Sequence, residues 1–324
     1  MRLKGFLKFI LVGLVLLVIG KPSAKSQTYN NQIGFKSDND SYLAIKQDRY
    51  YTNGIEFFFI HALKNNQNND STQLLKTIWG VNVGQKIFNA YAGKTFEIQN
   101  VDRPITGYLY ASAYMQWLLK NETVFKAELQ LGTIGPNALG KETQEFIHNT
   151  FKFYKPVGWQ FELTNAFGAN INLDYLKLLY RTKNKKTDFS LPLKLHLGNN
   201  FTGINAAVLF RTGRFNALNN STATQSNVAN NSKANLVKNK EIYFYLRPSF
   251  SVVLYDATIQ GGLFLANKGP VTYKPKPLVF VHEVGLNYAV NRFNLNLAFI
   301  FKSREIESTA TVHKYGSIGL GYGF

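Results

Sequence analysis

Tyr315-Gly316-Ser317-Ile318-Gly319-Leu320-Gly321-Tyr322-Gly323-Phe324 alternates two kinds of residue. Ile318, Leu320, Tyr322 and Phe324 fall on one face of an extended chain, and Gly319, Gly321 and Gly323 on the other. A side-chain period of two is the signature of a β-strand. Large apolar groups on one face and small ones on the other suit a strand between lipid and a crowded lumen. Working outward, the same alternation recurs in Phe293-Asn294-Leu295-Asn296-Leu297-Ala298-Phe299-Ile300-Phe301. It recurs again in Thr123-Val124-Phe125-Lys126-Ala127-Glu128-Leu129-Gln130-Leu131 and in Gly107-Tyr108-Leu109-Tyr110-Ala111-Ser112-Ala113-Tyr114.

These patterns predict an all-β chain, a transmembrane antiparallel β-barrel of about 12 strands with a short helix in an outer loop. The expected strands are 31–37, 52–62, 77–88, 106–118, 123–133, 166–181, 187–198, 202–211, 241–259, 278–290, 293–304 and 313–324. The segment Thr258 to Leu265 is assigned to a rim hairpin, which keeps the strand number even. A terminal aromatic on such a strand resembles outer-membrane barrels, whose assembly machinery reads that end. Aromatic residues make up 15% of the chain, with 26 Phe and 18 Tyr, as the girdles of such a barrel require. Residues 1–26 read as a signal peptide, with Arg2, Lys4 and Lys8 before the apolar run Phe9 to Gly20 and small residues at Ala24 and Ser26. Residues 27–324 then form the barrel domain, in the outer membrane of a Gram-negative bacterium. The formal charge of +18 falls to near +13 without residues 1–26. In an exported chain that balance points to anionic lipid or phosphorylated glycolipid and away from nucleic acid. There is no cysteine, so neither disulfides nor thiol chemistry enter.

Strand parity gathers the polar motifs at one rim. With the N-terminus periplasmic, the connections 38–51, 89–105 and 134–165 lie on the outer side. They hold Ser37-Asp38-Asn39-Asp40, Asp48-Arg49-Tyr50-Tyr51 leading into Thr52-Asn53-Gly54, Asp102-Arg103-Pro104, Gly135-Pro136 and Gln144-Glu145-Phe146-Ile147-His148. Segment 137–151 breaks the alternation and reads as a surface helix, which puts Gln144 and His148 on one face. Asn216 to Lys240 is long and rich in Asn and Ser, and is expected to be mobile and polar on the periplasmic side.

His148 is the candidate general base, because an imidazole near neutral pKa can activate water, and Gln144 could fix its tautomer. An inert surface histidine is the bland alternative. Asn39 and Asp40 offer hard oxygens for calcium, which would polarise an ester carbonyl; an Asx-type turn closing the first strand is the alternative. The Thr52 hydroxyl could line the same site. Lys94 and Arg103 could meet phosphate or a developing oxyanion, with ordinary rim charge as the alternative. Serine-hydrolase elbows, HExxH motifs and nucleotide-binding glycine loops are missing.

In this order, these residues resemble the lipid A 3′-O-deacylase (LpxR-type) family of outer-membrane enzymes. The resemblance rests on Asn39-Asp40, Asp48 through Gly54, Asp102-Arg103-Pro104 with Gly107-Tyr108-Leu109-Tyr110, Gly135-Pro136 through Gly140, Gln144 through His148, and Pro156-Val157-Gly158-Trp159. It implies a 12-stranded barrel whose outer rim removes an acyloxyacyl chain from lipid A in a calcium-dependent reaction. It further implies His148 as the base, Asn39, Asp40 and Thr52 at active-site positions, Asp40 as the leading calcium ligand, and Lys94 near the family's lysine. Lipopolysaccharide is then the partner, met by a monomer whose site faces the cell exterior. The competing readings are an outer-membrane phospholipase and a non-enzymatic barrel, pore or adhesin.

Overall fold

The structure is a computed structural model that describes residues 29–43, 49–64, 73–91, 94–229 and 240–324. The expected signal peptide and Asp48 lie outside the described residues. The strands are β1 (Asn31–Asn39), β2 (Tyr50–Ala62), β3 (Leu74–Asn89), β4 (Thr106–Leu119), β5 (Thr123–Ile134), β6 (Ala166–Arg181), β7 (Thr187–Gly198), β8 (Phe201–Ala207), β9 (Leu209–Arg214), β10 (Lys240–Asp256), β11 (Leu278–Val290), β12 (Phe293–Lys302) and β13 (His313–Gly323). Sequence neighbours pair antiparallel around the sheet, and β1 closes on β13 from Gln32↔Gly323 to Asn39↔Gly316. β8 and β9 lie end to end between β7 and β10, so the thirteen segments make a closed barrel of twelve staves.

Prolines explain the one split stave, where the alternation predicts a single strand over 202–211. Val208 stands opposite the Pro192 region of β7 and donates its N–H to the Pro248 carbonyl of β10 at 3.1 Å. Proline has no N–H to return, so the ladder lapses at that height on both sides. The other correction is local. β10 ends at Asp256, where the Asp256 side chain caps a single helical turn, Ala257–Gln260. The segment Thr258 to Leu265 therefore sits at the rim as a turn and loop, without a hairpin ladder.

The alternation partitions as lipid and lumen demand. On β5, Phe125, Leu129 and Leu131 are exposed to the surroundings while Glu128 is buried inside. The lumen is a packed, hydrogen-bonded column. Tyr110 donates to Glu56 at 2.5 Å, and Glu128 accepts from Asn82 and Asn172. Two glycines show how the rings fit: a Cβ at Gly80 would meet the Tyr114 ring at 2.5 Å, and one at Gly84 would meet Tyr110 at 2.5 Å. Each glycine opposes its tyrosine across the β3–β4 ladder, so the ring lies flat over the missing side chain.

Residues 40–43 and 49, 90–91 and 94–105, 135–165, 257–277 and 303–312 share one rim, which carries the polar motifs. The opposite rim holds a correction. Residues 216–229, the first part of the loop expected to be mobile over 216–240, are folded into the lumen, and 230–239 lie outside the described residues. Leu218, Ser221, Ser226 and Val228 are fully buried. Lys76 donates to Asn220 Oδ1 at 2.7 Å and to the carbonyls of Ser226 and Val228 at 2.8 Å. Glu241 accepts from Asn216 N at 2.6 Å and from Ser221 Oγ, Thr222 N and Thr222 Oγ1 at 2.9 Å. Small polar side chains, which read as loop composition, are here the size and chemistry needed to satisfy buried charges.

Candidate active site

Three elements build the motif rim. The first is the end of β1 with the start of β2. Asn39 is the last paired residue of β1, opposite Asn53, and Asp40 opens a short 3₁₀ turn, Asp40–Leu43. Asn39 Oδ1 accepts from Ser41 N at 2.7 Å, which is the Asx-type turn held open as an alternative in the sequence. Asp40 is buried, and its Oδ2 accepts from Arg49 N at 3.2 Å. Across the ladder, Tyr51 pairs with Phe88 and Asn53 with Ile87, leaving Thr52 as the extra residue of a bulge, 2% exposed. A bulge re-aims a side chain next to a strand end, and Thr52 adjoins Asn53, the residue that pairs with Asn39. The surrounding motif residues form the frame. Tyr50, at φ 56°, donates its hydroxyl to Asp102 Oδ2 at 2.9 Å, and Tyr51 donates to Asp38 Oδ2 at 2.8 Å.

The second element is the helix α1 (Gly140–Phe151). It starts three residues later than the sequence suggests, because a 3₁₀ turn over Pro136–Ala138 and Leu139 at φ 55° re-aim the chain first. Gln85 of the barrel wall donates to the Ala138 carbonyl at 2.6 Å, and Gly107 and Gly140 meet backbone to backbone. Gly140, Gln144 and His148 form the buried face. The His148 Nδ1 lies 2.6 Å from the Tyr154 carbonyl, an atom that only accepts, so Nδ1 carries the proton and Nε2 the lone pair of the neutral ring. That carbonyl, six residues on, fixes the tautomer. Gln144 Oε1 accepts from Trp159 Nε1 at 2.8 Å and pins α1 to the following loop.

The third element is the loop strand pairing Lys94 with Val157. It carries the Lys94 ammonium to 5.2 Å from the Tyr154 ring centroid, while the His148 ring meets the same tyrosine edge-on at 4.7 Å. Tyr154 thus brings Lys94 and His148 to one place. No sequence signal marked it, since its contribution to His148 is a backbone carbonyl.

Arg103 stands apart from these groups. It is 1% exposed and donates from Nε to Glu305 at 2.9 Å, from Nη1 to the Pro104 carbonyl at 3.1 Å and from Nη2 to Thr258 at 3.1 Å. The guanidinium also lies 4.0 Å from the Phe88 ring centroid. The expected phosphate contact is thereby reassigned to a buried tie between rim loops. Burial opposes the Glu305 charge, but the Lys302 ammonium and Arg103 guanidinium outweigh it and hold the carboxyl well below its ordinary range. Glu162, unmarked by sequence, goes the other way. Burial pushes it up to about 7, helped by nearby Glu142, against the hydrogen bond from Gly107 N at 3.4 Å.

The oxygen donors of Asn39, Asp40 and Thr52 are the hard type calcium prefers. They amount to a partial shell: among the described residues, no three His, Asp or Glu side chains gather as a metal-binding group. Backbone carbonyls, water and substrate oxygens would have to complete it.

The closed barrel, with a rim helix that turns a buried histidine inward, defines an integral outer-membrane protein. The sequence profile described as "Outer membrane protein LpxR" matches residues 9–324, and the chain belongs to that family. Among solved structures, LpxR from Salmonella typhimurium aligns with a TM-score of 0.72 at 17% identity, over 90% of this chain and 100% of that one. The β domain of the Bordetella autotransporter BrkA follows at a TM-score of 0.48 and 12% identity, covering 92% of this chain and 100% of that one. A search of curated protein sequences gave no match.

Proposed function

We propose that this protein is a lipid A deacylase that hydrolyses a 3′-linked acyloxyacyl ester of lipopolysaccharide, with calcium, at a site facing the cell exterior. The observation that carries the reading is the His148 tautomer. The 2.6 Å bond from Nδ1 to the Tyr154 carbonyl leaves Nε2 as the basic nitrogen, on a helix packed over the barrel rim. His148 takes a proton from water at Nε2 as the water oxygen attacks the ester carbonyl; the acyl C–O bond of the tetrahedral intermediate then breaks, and the imidazolium gives its Nε2 proton to the departing sugar-side alkoxide. The Tyr154 carbonyl stabilises the resulting imidazolium by holding Nδ1–H in place. Asn39, Asp40 and Thr52 would hold calcium, which when bound supplies Lewis-acid polarisation of the ester carbonyl. Lys94, exposed over Tyr154, is the cation placed to meet a substrate phosphate or the developing oxyanion. Exposed Lys141, Lys152 and Lys155 add positive charge around α1.

The test is mass spectrometry of lipid A incubated with purified protein in calcium or in chelator. One acyloxyacyl group should be lost, and chelation should prevent it. Intact lipid A under both conditions would overturn the reading, and release of fatty acid from glycerophospholipid instead would turn it into a phospholipase.

A further inference from the structure

The chain reversal after α1 has a use beyond ending the helix. Lys152 caps it in the left-handed region at φ 57°. The following N–H, that of Phe153, returns to the His148 carbonyl at 2.8 Å. This hairpin-like reversal sets Phe151 and Phe153 side by side, with ring centroids 5.9 Å apart and planes 25° apart. The Phe153 ring also meets the His148 imidazole edge-on at 5.6 Å. Yet the two phenyls are 51% and 56% exposed. Two stacked aromatic rings beside a buried histidine, half uncovered, form an apolar surface in want of a hydrocarbon partner.

The barrel supplies the context for what covers it. α1 lies in the connection between β5 and β6. Both staves send apolar side chains outward to lipid, among them Leu129, Leu131, Phe167 and Ile171. α1 itself packs on β3 and β4, and Val81 and Val83 of β3 are also exposed outward, so the aromatic pair sits on a rim bounded by apolar, lipid-facing staves. Lys152, between the two phenylalanines in sequence, and Lys155 are exposed, which suits the anionic head group at the end of a lipid chain.

We propose that Phe151 and Phe153 are the acyl-chain seat: they hold the fatty chain whose ester lies at His148, and so set chain-length preference. The proposal rests on the ester-hydrolase reading of the site. A chain lying along the two rings positions its own carbonyl end at the imidazole. Chain length is then read by how much of the hydrocarbon the stacked rings cover.

The experiment compares wild type, the double variant Phe151→Ala/Phe153→Ala and the double variant Phe151→Leu/Phe153→Leu, each purified and checked for heat-modifiable folding. The substrates are two lipid A species that differ only in the length of the scissile acyl chain. The readout is the ratio of kcat/KM for the long over the short chain. The alanine pair should lower that ratio about tenfold, the scale of discrimination an apolar pocket gives, and the leucine pair should restore most of it. An unchanged ratio in an alanine pair that still cleaves would overturn the seat and leave the phenylalanines as bilayer anchors. If wild type cleaves neither substrate, the hydrolase reading falls and the seat falls with it. If the alanine pair fails to fold, the ratio measured for the leucine pair and for Phe151→Ala alone decides: a lower ratio in the single variant supports the seat, an unchanged one overturns it.

Discussion

At one rim of the barrel, His148 is held by a backbone carbonyl and Asp40 receives a backbone N–H. At the other, Arg211 and Asp188 are both 0% exposed and bonded to each other at 2.7 and 3.0 Å. Arg181 extends that second cluster, reaching Glu122 at 2.5 Å and Asp188 at 2.8 Å. The polar materials are similar, but the way they are satisfied differs. A backbone carbonyl orients a side chain and fixes its tautomer, here with the proton on Nδ1. A charge pair satisfies both partners and leaves little chemistry behind. The contrast is between these two sites and not between whole rims, since Arg103 and Glu305 form a buried charge pair at the same rim as His148.

The comparison can be broken at four points. The largest expected effect is Arg211→Ala. It leaves the buried Asp188 with Arg181 alone in the lumen and should cost about 3–5 kcal/mol of stability, read by urea unfolding in detergent; a loss equal to that of His148→Ala would erase the distinction between the two sites. Next is Arg103→Ala, which leaves Glu305 with Lys302 alone and should cost about 2–3 kcal/mol. A stable Arg103→Ala protein with weakened substrate binding would return Arg103 to its expected phosphate role. Third, Lys94→Met should lower kcat/KM by about tenfold, roughly 1.4 kcal/mol, with no change in unfolding. A destabilised variant would make Lys94 a structural cation over Tyr154.

The smallest effect concerns Glu162. Its folded pKa, about 7, lies above the ordinary 4.5. The folded state therefore binds the proton more tightly, and the resulting stability is full below pH 4.5 and lost as pH rises through 7. Glu162→Gln should flatten that slope, so that thermal midpoints of variant and wild type diverge at pH 8 and converge at low pH. Parallel curves would show that Glu162 titrates normally.

Much of the reactive rim was legible because alternation and parity are local rules. The face of Gln144 and His148 follows from a spacing of four on a helix, and the nearness of Asn39 to Thr52 follows from strand order. The features missed are those decided by distant partners. Asn, Ser and Thr over 216–229 read as loop until Glu241 and Lys76 are seen to need them. Arg103 reads as rim charge until Glu305, 202 residues away, is placed beside it. Tyr154 serves His148 through a carbonyl that any residue carries. The break at Val208 was visible in Pro248 itself, but only knowledge of which strands neighbour each other gives that proline its meaning.

The most direct test of the reactive rim is the lipid A mass spectrum of outer membranes from cells expressing wild type or His148→Ala, with both proteins confirmed as heat-modifiable barrels. The account predicts loss of one acyloxyacyl group with wild type and, from removal of the general base, at least about a hundredfold slower loss with the variant. Equal deacylation by a folded His148→Ala barrel would contradict it.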